Sequence, residues 1–97
     1  MRLPFRSPSA NTRPLTLSFT RAALKDFRCL PGADRARGLD RLEAYAADPA
    51  APGHDVVPIV GVADGYRLRF GEWRALFTIT GEAMDVYRIR HRREAYR

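Results

Sequence analysis

Alternation and helical spacing divide the chain into a few segments. Leu15, Leu17 and Phe19 alternate with polar residues in LTLSF, which predicts a short strand with one apolar face. Thr20 follows as a helix N-cap. Ala23, Leu24, Phe27 and Leu30 then recur at helical spacing in TRAALKDFRCLPG until Pro31-Gly32 ends the run. Asp34 reads as the cap of a second helix, with Leu39, Leu42 and Ala46 as its apolar stripe and Asp48-Pro49 as its stop. The two helices form an antiparallel hairpin joined by a short turn. DPAAPGH is a loop, and DVVPIVGV reads as an irregular or edge strand, because Pro58 has no N–H for a ladder. GYRLRF and WRALFTIT are two strands around Gly71-Glu72; TGEAM is the next turn, and DVYRIR is the last strand before the tail HRREAYR. No internal repeat is present. The order predicts an α+β fold: an N-terminal strand, then a helical hairpin packed on one face of a twisted, mainly antiparallel sheet of four or five strands.

Strand periodicity also assigns faces. A two-residue loop at Gly71-Glu72 pairs Phe70 with Trp73, Leu68 with Ala75 and Tyr66 with Phe77, giving an apolar face for the helices to cover. The same register sets Arg69 directly across from Arg74 on the other face, beside Arg67. Like charges facing each other across a sheet cost a few tenths to about 1 kcal/mol. Such a pair is either a tolerated feature of a solvated face or an anion site, where a phosphate bridges two guanidinium forks.

Charge distribution sharpens this choice. The 97 residues carry a net charge of +6, with 17 basic side chains of which only Lys25 is lysine. Residues 1–14 hold three arginines and no acid, residues 15–65 are nearly balanced, and residues 66–97 hold eight arginines against four acids. One domain at 15–97 is expected, preceded by a flexible basic arm at 1–14 that is either functional or an incidental extension. The single cysteine, Cys29, excludes an internal disulfide and reads as a passive, partly buried thiol. His54 reads as a surface residue of its Pro/Gly loop. No apolar run reaches the roughly 20 residues of a membrane span, and no secretory h-region is present; a cytoplasmic protein is expected.

RIRHRREAYR adds Arg88, Arg90, Arg92, Arg93 and Arg97, with His91 and Tyr96 among them. Cations, an imidazole and a phenol suit an RNA phosphodiester site. Arginines bind the backbone and stabilise charge growing at phosphorus, an aromatic ring stacks an unpaired base, and an acid–base group handles the 2′-hydroxyl proton. The 2′-hydroxyl is an internal nucleophile, so neither a metal nor a small-molecule cofactor is called for. Each residue also has a plain alternative: Tyr96 packing the terminus, His91 solvated at a strand end.

The chain resembles the RelE/ParE superfamily of type II toxin–antitoxin toxins, on the RelE side. LSFTRAALKDF is similar to the family's strand and F-T-x-x-A helix start, and LEAYAADP to a helix closing in Asp-Pro. YRLRFGEWRALF is similar to YRLRxGxYRxxY, and IRHRREAYR to VGHRREVYR. The resemblance covers residues 15–97 in order. It implies that Arg67, Arg69 and Arg74 on the hairpin, with His91 or Arg92 and Tyr96 near the C-terminus, bind and cleave mRNA in the ribosomal A site. Arg88, Arg90, Arg93 and Arg97 would bind RNA phosphates. It also implies a cognate antitoxin, acidic and partly disordered, folding over the basic face.

Departures from the pattern matter. The family often has Lys where this chain has Arg67 and Arg69, and arginine does not give up its proton; proton transfer would fall to His91 or Tyr96. Arg90 stands where Gly is usual, and Trp73 where Tyr is usual. Two other readings stay open: a ParE-like gyrase poison on the same fold, and a non-catalytic nucleic-acid-binding relic of it.

Overall fold

The structure is a computed structural model, and it describes residues 13–95. Residues 1–12 of the expected arm, with Tyr96 and Arg97, lie outside the described residues. Eight elements follow in order: β1 (Thr16–Phe19), α1 (Arg21–Arg28), α2 (Gly32–Ala47), β2 (Val56–Pro58), β3 (Gly65–Phe70), β4 (Trp73–Thr80), β5 (Ala83–His91) and α3 (Arg92–Ala95). The five strands form one sheet in the order β1-β5-β4-β3-β2, antiparallel except where β1 runs parallel to β5. The expected α+β architecture is therefore present, with β1 inserted beside the last strand.

Both hairpins turn on glycine. Gly71 (φ +62°) and Gly81 (φ +61°) each open a two-residue loop in a backbone region that other residues enter only under strain. The first sets Phe70 against Trp73, Leu68 against Ala75 and Tyr66 against Phe77, the expected register. At the far edge β2 contains Pro58, whose missing N–H costs nothing there. Along β5 the ladder breaks once: Phe77 pairs with Val86 but Leu76 pairs with Arg88, leaving Tyr87 as the extra residue of a bulge.

Thr20 caps α1 as expected, its Oγ1 accepting the Ala23 N–H at 3.1 Å. The helix ends at Arg28, and Pro31-Gly32 opens α2 instead of merely closing α1: Pro31 is the N-cap and Gly32 the first helical residue. Asp34 is thus not the cap. It sits in the first turn, and its carboxylate accepts the Trp73 indole N–H at 3.0 Å. The stripe of α2 is shifted too: Gly38, Leu42, Tyr45 and Ala46 are buried, while Leu39 and Leu24 lie among the exposed large apolar residues. Gly38 is inside because Phe70 leaves no room, a Cβ there falling 2.6 Å from the Phe70 ring. Cys29 is exposed, against expectation, because it is the C-cap of α1 and points away from the core. His54 is half-buried, its Nε2 donating to the Asp48 carbonyl at 2.8 Å while its ring meets Tyr45 edge-on.

The core lies between the helices and one sheet face, built from Phe27, Leu42, Tyr45, Leu68, Phe70, Ala75, Phe77, Met84 and Val86. Tyr45 is fully buried beside Phe77, and its hydroxyl has no hydrogen-bond partner among the described residues. Burial, with the Tyr66 phenol nearby, pushes its pKa well above the ordinary tyrosine value.

Two substitutions test this core. An unmatched buried hydroxyl costs about 1 kcal/mol or more, so Tyr45→Phe raises the denaturant midpoint at pH 7. The raised pKa also gives a sign. Stability is complete below the unfolded tyrosine pKa near 10 and falls as pH rises past it, because the unfolded chain ionises first. The wild-type loss above pH 10, followed by chemical denaturation, is steeper than that of Tyr45→Phe. Gly38→Ala lowers the melting temperature: overpacking against Phe70 costs about 1–3 kcal/mol and outweighs the roughly 1 kcal/mol gained in helix propensity.

Candidate anion site on the open sheet face

The helices leave one sheet face uncovered, and strand alternation loads it with cations. Arg67 and Arg69 on β3 and Arg74 on β4 point there together, since Leu68, Phe70 and Ala75 point into the core. The β5 residues reach this face because of the bulge. Met84 and Val86 are inward, so unbroken alternation would turn Arg88 and Arg90 inward as well. The extra residue at Tyr87 shifts the phase; Ile89 fills the core and Arg88 and Arg90 face out.

The result is a row of three arginines across adjacent strands. Arg69 lies opposite Arg74, and Arg74 lies opposite Arg90. Arg74, in the middle, is only 5 % exposed; its Nε is fully buried and its Nη1 donates to the Trp73 carbonyl at 3.5 Å. Arg69 is exposed, and its Nε donates to Asp55 Oδ2 at 2.6 Å, an ion pair open to solvent and of small net value. Arg88 Nε sits 3.0 Å from Asp26 Oδ2 as an ion pair. The same Asp26 oxygen accepts the Ile89 N–H at 3.0 Å, so α1 covers the β5 edge where β1 has ended. Asp55 thus answers Arg69, and Asp26 answers Arg88. A guanidinium fork takes two oxygens of a phosphate, so forks on neighbouring strands can share one anion.

His91 is not in this group. The bulge that turns Arg90 outward turns His91 to the helix side, opposite Trp73, where the rings meet edge-on at 5.1 Å. Its Nε2 lies 3.2 Å from Glu72 Oε1, and its Nδ1 accepts the Arg93 N–H at 3.3 Å. An Nδ1 that accepts leaves Nε2 carrying the hydrogen donated to Glu72. The Glu72 carbonyl also accepts the Arg92 N–H at 2.7 Å, so the hairpin turn fastens the start of α3 twice. Asp34, Arg37, Gly71 and Trp73 complete a pocket of about 370 Å³ around His91 and Glu72. Arg92 and Arg93 are exposed on α3. The sequence reading did not anticipate Asp34, Arg37 and Glu72 as neighbours of His91, because no local spacing links α2 to the hairpin tip.

A helical pair on a five-stranded sheet with an arginine row on the face away from the helices defines a small α+β protein with a cationic sheet face. The chain belongs to the ParE toxin family of type II toxin–antitoxin systems, within the RelE/ParE superfamily, whose sequence profile matches residues 17–96. No curated protein sequence matched it. Among solved structures it is similar to the RelB–RelE antitoxin–toxin complex from Methanococcus jannaschii, at 25% identity and TM-score 0.68, covering 80% of this chain and 93% of that one. It is also similar to the archaeal RelE–RelB complex from Pyrococcus horikoshii OT3, at 20% identity and TM-score 0.68 over 80% and 94% of the two chains. A third match is the RelBE2 toxin–antitoxin complex from Mycobacterium tuberculosis, at 24% identity and TM-score 0.68 over 81% and 99%.

The like-charge row yields a stability prediction. Arg90→Leu relieves the repulsion with Arg74 and adds a few tenths to about 1 kcal/mol, which raises the melting temperature by roughly 2–6 °C in low-salt chloride. A lowered melting temperature would mean that Arg90 is stabilising where it stands.

Proposed function

We propose that this toxin is a ribosome-dependent endoribonuclease of the cytoplasm that cleaves mRNA in the ribosomal A site and so halts translation, held inactive by a cognate antitoxin. The observation that carries the reading is the row Arg69–Arg74–Arg90. Three arginines side by side on adjacent strands support reception of an anion, because guanidinium forks on neighbouring strands can share the oxygens of one phosphate. The antitoxin follows from the family and from the structural neighbours, each of which is a toxin–antitoxin complex. Among the described residues no helix is long and apolar enough to cross a membrane.

In this mechanism the 2′-hydroxyl of one nucleotide attacks the adjacent phosphorus, the 5′-oxygen of the next nucleotide leaves, and no metal takes part. Arg67, Arg69 and Arg74 hold the scissile phosphate and stabilise the charge that builds on its oxygens; Arg88, Arg90, Arg92, Arg93 and Arg97 hold flanking phosphates. Arginine stays protonated at neutral pH and cannot serve as a base, so a different group takes the 2′-hydroxyl proton and supplies one to the leaving oxygen. With both His91 nitrogens engaged and its ring on the helix side, Tyr96 is the better candidate, and His91 holds α3 in place. A gyrase poison is the second reading. It is favoured by the match to the ParE family profile and by the absence of a group titrating near neutrality from the open face among the described residues.

Expression of the chain in bacteria with mapping of new mRNA 5′ ends tests the proposal. Cuts inside translated codons, lost when translation is blocked, are expected. Arg74→Lys keeps the charge but loses the fork, and cutting falls by roughly tenfold or more. Growth arrest with DNA damage and no cuts would establish the gyrase reading, and no effect on growth would indicate a binding relic.

A further inference from the structure

A second cleft opens beside the arginine row, between the C-terminal end of α1 and the end of β5. We propose that it is a nucleotide subsite, receiving one unpaired base of single-stranded RNA with the attached phosphate on Lys25 and Arg90. The proposal rests on the RNA reading and extends it to residues outside the hairpin and the C-terminal segment.

The cleft measures about 320 Å³, within the range of small-molecule sites. Leu30 and Ile89 give it an apolar floor, and the Trp73 indole forms a wall. That indole is held at two points, by its N–H bond to Asp34 and by its edge contact with His91, so an entering base meets a fixed surface. Lys25 and Arg90 also line the cleft. Among the described residues neither side chain makes an ion pair or hydrogen bond. The acid between them, Asp26, is already committed to the Ile89 N–H and to Arg88. Apolar floor, aromatic wall and two unmatched cations suit a nucleotide better than an acidic peptide, which has no ring to place. Arg90 also belongs to the row, opposite Arg74. One continuous strand could therefore lay a phosphate on the row and its neighbouring nucleotide in the cleft.

The chain carries its own reporters, because its single tryptophan and single cysteine, Trp73 and Cys29, both line this cleft. The full chain is titrated with nucleoside 5′-monophosphates in chloride buffer. Saturable quenching of Trp73 is expected, together with at least threefold slower reaction of Cys29 with a thiol reagent. Lys25→Ala weakens the quenching about tenfold, the size of one charge-assisted contact, and Lys25→Arg retains it. Absence of quenching and protection would overturn the proposal. So would equal protection of Cys29 by inorganic phosphate or by a hexaglutamate peptide at matched concentration. Cleavage of mRNA is scored separately. A chain that binds the monophosphates but leaves mRNA intact sinks the nuclease reading and keeps the cleft. A chain that cuts mRNA and shows neither signal does the reverse.

Discussion

Arg74 held between Arg69 and Arg90 is the constraint around which this molecule is arranged. Buried cations in a low-dielectric setting are costly, and like charges beside them add to that cost. The rest of the fold must therefore be strong enough to keep the row in register. It does so through two glycine-opened hairpins and a dense apolar layer on the opposite face of the same strands. Phe70, Ala75 and Phe77 alternate with the arginines along β3 and β4, so a register slip that relieved the charges would also expel the core. Core burial and charge crowding are two faces of one strand pairing.

The bulge at Tyr87 has comparable weight. A single extra residue in β5 sends Ile89 into the core, Arg88 and Arg90 onto the open face, and His91 onto the helix side. It thereby completes the arginine row and separates the imidazole from it. His91 is instead joined to Glu72, and through Glu72 to the hairpin turn, so that the loop between β3 and β4 sets where the C-terminal segment begins.

Much of this was legible in the sequence. Strict alternation in GYRLRF and WRALF, with Gly71 between them, allowed one pairing that put all the aromatic residues on the core face, and that pairing faced Arg69 with Arg74. The edge position of β2 followed from Pro58. What was not legible had identifiable causes. Bulges leave no mark in alternation, so the faces of Arg90 and His91 could not be read from RIRH. Asp34 looks like a cap because Asp commonly is one, yet Pro31 took that position and the carboxylate served Trp73 across the fold. Leu39 fits a helical stripe that Gly38 occupies, since only a residue without a side chain lets α2 close on Phe70. Each miss depends on a contact distant in sequence.

The central claim is that the open face receives a phosphodiester on its arginine row. The most direct measurement is guanidinium NMR of the full chain titrated with a short single-stranded oligonucleotide lacking the 2′-hydroxyl at the cleavage position. The account predicts saturable shifts of the Nε signals of Arg69, Arg74 and Arg90, with Arg21 and Arg41 on the helix side unmoved. Shifts spread evenly over all the arginines, or confined to the helix side, would contradict it.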